Sequence, residues 1–259
     1  MDAVERDLFA QTLRKTMTAA SGRALDTALA DLGWSDLLTE VPDVAVPLAF
    51  GLLGETGAHA PLLNDVLLHA ADVPSGHPAP AVHGRRVGRV ERTDEAGGTL
   101  DGELPLRTVA AGDPVPLAAG RRALGWWLLG TGRAMLALAR SHVLDRTQFG
   151  RPLASFQAVR HRLAETLVAL DGAEATLLAA EDDLGCLLAK AAAGQAALTA
   201  ARHCQQVLGG IGFTAEHDLH RHVRRALVLD GLLGSGRELT REAGRLVREG
   251  RSAPRLVQL

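Results

Sequence analysis

The chain has 259 residues, and 47% of them are hydrophobic, enough to build a real core and to exclude global disorder. Its 28 basic and 30 acidic residues leave a net charge of −2, which argues against a dedicated nucleic-acid binder. Aromatic residues make up only 3%, with no Tyr, so composition leans toward helices and away from a sandwich or barrel. Two cysteines, Cys186 and Cys204, exclude a disulfide scaffold and a four-Cys zinc site. Lys15 and Lys190 are the only lysines, a bias that points to a GC-rich genome more than to chemistry. The charged start MDAVERDLFAQTLRK lacks an apolar signal region, and no stretch reaches the roughly 20 apolar residues of a membrane span, so a cytoplasmic protein is expected.

Proline divides the chain. Nine of the eleven prolines lie between Pro42 and Pro116, and none lies between Leu153 and Ala253. Proline costs about 3 kcal/mol inside a helix, so the last hundred residues suit long helices. Three parts are expected: an N-terminal helical domain over 1–70, a reduced β/loop insert over 71–118, and a C-terminal helical bundle over 119–259. In the first, Leu8, Phe9, Leu13, Met17 and Ala20 recur at helical steps across Val4–Ala20. Helices are then expected at Arg23–Leu32, ending at Gly33-Trp34, at Asp43–Thr56, and at Pro61–Ala70 with Pro61 in the first turn. In the insert, Val82, Val87 and Val90, then Leu100, Leu104 and Leu106, suggest two to four short strands.

The C-terminal part reads as four or five helices. Arg121–Leu144 is followed by Phe156–Leu184, with Val159, Leu163, Leu167 and Leu170 at helical spacing, and by the Ala-rich Cys186–Leu208, stopped at Gly209-Gly210. Thr214 is a plausible N-cap for a helix from Ala215 to about Leu232, and Arg237–Arg248 closes the set. Trp126 and Trp127 are adjacent and face different directions, so one is expected in the core and one at an interface. The histidines His217, His220 and His222 do not make a fixed metal spacing, and His203-Cys204 reads as part of a buried helix face. No metal site is expected.

Two segments carry more information. Arg146-Thr-Gln-Phe-Gly-Arg151, running on to Phe156-Gln157 and His161, matches R-x-x-F-G-[RK]-x-[IL]-x-x-[FH]-Q. About fifty residues later, Gln206-Val-Leu-Gly-Gly-Ile-Gly-Phe213 matches Q-x-x-G-G-x-G-[FY]. In content and order these resemble the C-terminal helical domain of acyl-CoA dehydrogenases. Residues 5–70 resemble the family's N-terminal helices less specifically. The resemblance implies a mainly α fold: an N-terminal helical part, a much reduced β insert and a C-terminal four-helix bundle. It also implies FAD, with Arg146, Gln148, Phe149, Gln206, Gly209 and Gly210 reaching the pyrophosphate and adenine end of a neighbouring subunit's cofactor. Arg offers phosphate a planar fork of donors, and glycine lets backbone approach a nucleotide closely.

The resemblance fails where catalysis would be expected. Family members oxidise an acyl thioester with the help of a carboxylate base. Its two known positions fall here on Leu233 and Gly120, neither of which ionises. Asp230, one helical turn before Leu233, is the candidate for a displaced base. The family's F-A-L-T-E-P-x-x-G-S-D segment, which covers flavin and thioester, has no counterpart between Ala71 and Gly120. The resemblance therefore implies an accessory subunit of a heteromeric acyl-CoA dehydrogenase, an α2β2 assembly such as those of actinobacterial sterol side-chain breakdown. Its partners would be a flavin-holding subunit, or a second copy of itself, and an acyl-CoA substrate. The alternatives are a protein of this fold with non-redox chemistry on an acyl thioester, or a dehydrogenase using the displaced base.

Overall fold

Asp2 opens the first helix with a reciprocal cap: its carboxylate accepts the Glu5 N–H at 2.8 Å, and the Glu5 carboxylate accepts the Asp2 N–H at 2.8 Å. The computed structural model describes residues 1–73, 100–104, 106 and 115–250. Helix α1 spans Ala3–Ala19, α2 Gly22–Asp31, α3 Trp34–Glu40, α4 Pro42–Thr56 and α5 Leu62–Ala70. Helix α2 ends before Gly33, as expected, and the chain turns there with no intervening loop. Gly33 adopts φ +78°, and α3 starts at once, a helix that periodicity had not suggested. Pro61 precedes α5 as its cap residue.

After the insert come α6 (Ala118–Asp145), a hairpin of β1 (Thr147–Gln148) and β2 (Arg151–Pro152), a 3-10 turn at Leu153–Ser155, α7 (Gln157–Leu178) and α8 (Asp183–Leu208). A second 3-10 turn at Gly209–Phe213, α9 (Leu219–Gly231) and α10 (Gly236–Gly250) complete the elements among the described residues. The helix expected over Phe156–Leu184 ends earlier, at Leu178, and the next one starts before Cys186. Asp182 accepts the Gly185 N–H at 2.6 Å and starts α8, where acidic residues suit the positive end of the helix. The helix expected from Ala215 begins later, at Leu219, whose N–H is accepted by His217 Nδ1 at 3.1 Å.

Helix α6 is the axis of the fold. It packs on α4 and α5 on one side and on α7, α8 and α9 on the other. From Ala123 to Gly132 every residue is buried. Trp126 and Trp127 are therefore both buried, at 5% and 3% exposure, which corrects the expected division between core and interface. Phe50 lies between Trp34 and Trp127, edge-on to both, with centroids 6.4 and 5.9 Å away. Helices α4 and α6 cross at backbone contact. A Cβ at Gly130 would lie 2.0 Å from the Gly51 carbonyl oxygen, and one at Gly54 would lie 2.4 Å from the Trp127 carbonyl oxygen. Helix α7 buries a single seam of Thr166, Leu170, Ala173 and Leu177.

Segment Asp183–Phe213 is long and apolar enough to cross a bilayer by length and composition, contrary to the sequence expectation. In the fold it is the partner of α6, α7, α9 and α10, which explains its alanines. Leu100, Leu104 and Leu106 lie in bends and irregular backbone, so the strand expected there does not form at these residues. Val82, Val87 and Val90 lie outside the described residues. Residues 100–104 are instead pinned to α9. Arg225 donates to the Asp101 carboxylate, both being 4% exposed, while Arg221 makes two bonds to Glu103 at 2.8 and 3.0 Å. Arg225 also donates to the carbonyls of Gly57 and Ala58 at 3.2 and 3.1 Å, tying α9 to the end of α4.

Candidate functional site

Two regions contain the residues singled out by sequence. The first is one end of the helical bundle. Arg146 closes α6: its N–H donates to His142 O at 2.9 Å, and its carbonyl accepts the Leu153 N–H at 2.8 Å. Its side chain is exposed. Thr147 and Gln148 pair with Pro152 and Arg151, and the chain reverses through Phe149-Gly150. Both turn residues have positive φ, +55° and +76°, the geometry of a tight hairpin turn with matched twist. The turn holds Phe149 out at 88% exposure. Phe156 supports it edge-on at 6.1 Å, and the Arg151 guanidinium lies 4.1 Å above the Phe156 ring.

The second motif comes to the same end because α7 and α8 run antiparallel. Thr166 Oγ1 meets His203 Nδ1 at 3.0 Å, and His142 meets His217 ring to ring at 6.3 Å. The Thr166 hydroxyl is already donated to Arg162 O at 2.7 Å, so His203 Nδ1 carries the proton in this contact and Nε2 faces Arg162. Gln206 is exposed in the last turn of α8. Gly209 takes φ +66° and ψ −141°, a conformation that needs glycine, and ends the helix. A Cβ on Gly209 or Gly210 would meet nothing within 4 Å, whereas one on Gly212 would strike Gln205 O at 2.7 Å. Gly209 and Gly210 therefore offer open backbone, and Gly212 serves packing.

Between the first turns of α7 and the last turns of α8 lies a groove of about 620 Å³, lined by Arg162, Arg202, His203 and Gln206 over Val159 and Val207. Sequence reasoning missed Arg162 and Arg202. Arg162 directly follows His161, and Arg202 lies four residues before Gln206, both recognised motif positions, but only the antiparallel pairing makes the two arginines neighbours. This end of the bundle combines guanidinium groups, an amide, open glycine backbone and a projecting aromatic ring. That donor set suits a phosphate-bearing nucleotide. Cys204 is not part of it: burial pushes its thiol up to about 12.

The second region is where a base would stand. Leu233 sits in the turn between α9 and α10 with φ +54° and 7% exposure. Gly120 begins α6. A Cβ on Gly120 would lie 3.0 Å from Leu233 Cδ1 and 2.6 Å from Leu67 Cδ2. The two positions thus face each other, and Leu67 of α5, fully buried, packs against Gly120 as well. The turn is held from beneath. The Lys190 ammonium donates to the Asp230 carbonyl at 2.6 Å and to that of Gly234, and Arg121 Nε donates to the Leu233 carbonyl at 3.3 Å. Burial lowers the Lys190 ammonium to about 8. Asp230 is turned away from this contact. Its carboxylate accepts the Gly236 N–H at 3.1 Å and lies over Gly194, in the role of a cap for α10. Glu238 completes a second cap by accepting from the N–H and hydroxyl of Ser235, and Glu242 pairs with Arg121 at 3.1 Å.

The family description "Acyl-CoA dehydrogenase, C-terminal domain" matches residues 115–242. Among curated relatives, the chain is 42% identical over 123 residues to acyl-CoA dehydrogenase FadE34 of Mycobacterium tuberculosis, covering 43% of this chain and 17% of that protein. It is 38% identical over 116 residues to acyl-CoA dehydrogenase IpdE2 of the same organism, covering 44% of this chain and 36% of that protein. The chain thus spans well under half the length of these relatives. Among solved structures, the fold matches a variant of the Tcur3481-Tcur3483 steroid ACAD with a TM-score of 0.71 at 20% identity, over 96% of this chain and 99% of that one. It matches glutaryl-CoA dehydrogenase of Mycobacterium smegmatis with a TM-score of 0.70 at 17% identity, over 98% and 97%.

Proposed function

Because residues 115–242 make this chain a member of the acyl-CoA dehydrogenase family, we propose that it is the accessory subunit of a heteromeric FAD-dependent enzyme that desaturates an acyl-CoA. The observation that carries this reading is the contact of Leu233, Gly120 and Leu67. Removing an α proton from a thioester needs a carboxylate aimed at it. At both positions where the family supplies one, this chain has an apolar seal with no ionisable group. Asp230 is engaged in capping α10 and leaves that role empty. In this reading, residues 71–118 are a shortened insert between the two helical parts 1–70 and 119–259.

The part retained is the bundle end that would meet a partner's cofactor. FAD supplies a hydride acceptor when bound. Arg146 and Gln148 would donate to its pyrophosphate, Gly209 and Gly210 would let the nucleotide approach backbone, and Phe149 and Gln206 would flank it. The exposure of all six residues, and their arrival at one end of the bundle, support the assignment. A steroid side-chain thioester is the substrate class we assign, by analogy with the steroid ACAD that shares the fold.

The test begins with the visible spectrum of the purified chain. We expect it colourless alone, and expect one FAD per pair after co-expression with an acyl-CoA dehydrogenase encoded next to it. Arg146→Ala should lower the flavin content of the pair while leaving the chain's own melting temperature unchanged. Stoichiometric flavin in the isolated chain, or a flavin content indifferent to Arg146→Ala, overturns the proposal.

A further inference from the structure

Helix α7 carries two apolar faces. One is the buried seam of Thr166, Leu170, Ala173 and Leu177, packed on α6 and α8. The other is turned away from that seam. Ala164, Leu167, Val168, Ala175 and Leu178 fall on it at helical spacing, and all five are exposed. Leu167 is 49% exposed, Val168 71% and Leu178 65%. A surface helix normally buries one apolar stripe and turns polar residues to water on the other side. A second, contiguous apolar stripe marks an interaction surface.

Two charges lie within the same stripe. Arg160 stands four residues before Ala164, and Asp171 four residues before Ala175. Both are exposed, and neither forms an ion pair among the described residues. Arg160 Nε donates to the Ala154 carbonyl at 2.6 Å, which fixes the guanidinium beside the first turn of α7. The two charges are eleven residues apart, about 16 Å along the axis, too far to meet each other. A second α7 laid against the first in the opposite direction brings each Arg160 level with the other helix's Asp171. Ala164, Leu167 and Val168 then meet at the centre. A parallel pairing sets like charges side by side. The stripe is therefore its own complement, in charge and in apolar surface, when two copies run antiparallel.

We propose that two copies of this chain associate through the outer face of α7, related by a two-fold axis, with Arg160 of each copy facing Asp171 of the other. The small side chains of Ala164 and Ala175 let the helix axes approach to about 8–10 Å. The FAD-facing groove lies between α7 and α8, on another side of the helix, so this dimer leaves it open. The inference does not depend on the accessory-subunit reading.

The test is sedimentation of the full chain over about 1–100 µM, the range of a moderately tight dimer. The parent is expected at twice its 27.2 kDa. Val168→Glu, a change at an exposed residue, should leave a monomer with an unchanged circular dichroism spectrum. Arg160→Asp and Asp171→Arg each set like charges at both symmetric contacts and should weaken association by about a hundredfold. Mixing these two variants restores opposite charges at both contacts, and the mixture should dimerise with the parent's affinity to within about threefold. A merely structural effect of either substitution would not be repaired by mixing. A parent that stays monomeric, a dimer indifferent to Val168→Glu, or a mixture no tighter than its components overturns the proposal.

Discussion

Gly130→Ala tests whether the α4–α6 crossing is as close as the structure has it. The new methyl carbon would lie 2.0 Å from the Gly51 carbonyl oxygen, 2.9 Å from its carbon and 3.1 Å from its Cα. Carbon–oxygen contacts normally settle near ~3.3 Å or beyond, so the two helices must part by about 1 Å or more. All three obstructing atoms belong to helical backbone and cannot rotate away. Parting also loosens the neighbouring contact at Gly54 and the edge-on packing of Phe50 on Trp127. Overpacking of this kind costs about 1–3 kcal/mol and sometimes more. Replacing glycine inside a helix returns up to ~1 kcal/mol. A net loss of about 2 kcal/mol is expected, or roughly 4–8 °C in melting temperature for a chain of this size. Gly172→Ala is the control. Gly172 is also inside a helix, α7, but a Cβ there meets nothing within 4 Å, so it should stabilise slightly. Thermal and urea unfolding of the two variants beside the parent decide the matter. If Gly130→Ala proves as stable as Gly172→Ala, the backbone contact is not as described and the argument fails.

Three further outcomes follow from the same structure. Asp101→Asn keeps an oxygen acceptor but removes the carboxylate charge that faces the buried Arg225 guanidinium, leaving the half-exposed Glu103 at 3.8 Å, and should destabilise by about 3 kcal/mol, read by urea unfolding. His222 is held neutral: burial, reinforced by Arg225 and Arg221 against Asp218 and Glu103, pushes its imidazole from 6.5 down to about 4. The unfolded chain therefore binds more protons between those values, so stability falls as pH drops through this window, by roughly 3 kcal/mol from this group. His142 and Glu103, both lowered, act in the same direction, so the comparison is with His222→Gln, whose unfolding free energy should decline less between pH 7 and pH 4. Leu233→Glu would set a carboxylate against Leu67 and Gly120, beside Arg121 and Lys190, which are already engaged with the carbonyls of this turn. It should lower the melting temperature and restore no dehydrogenation in the isolated chain, and a gain of acyl-CoA oxidation there would contradict the accessory role.

Much of the fold was legible because a helix's buried face repeats within its own sequence. Leu13 and Met17 on α1, and Leu170 on α7, were expected from spacing and are buried. The absence of proline after Leu153 correctly allowed the long α7 and α8. Local signals failed where a cap or turn competed with periodicity. The cap at Asp182 moved the break between α7 and α8 ahead of the one expected after Leu184, and His217 delayed α9 past Thr214. The expectation that no stretch was long and apolar enough to span a bilayer did not hold for Asp183–Phe213, because alanines taken together over a whole helix give a membrane-length apolar segment that here is buried against its neighbours.

The candidate residues divide in the same way. The motif around Arg146 and the run at Gly209-Gly210 were recognisable from order and spacing, and so was the lack of an ionisable group at Leu233 and Gly120. Sequence determined which chemical groups the chain owns and which it lacks. It did not determine what they face. Gly120 meets both Leu67 and Leu233, Arg225 is matched by Asp101, and Trp126 is buried at the edge of a charged groove. Leu67, Gly120 and Leu233, like Asp101 and Arg225, are more than fifty positions apart. Only tertiary packing, with α5 and α9 both set against α6, brings them together, because helical periodicity sets a residue's direction while the distance between helices sets what it meets.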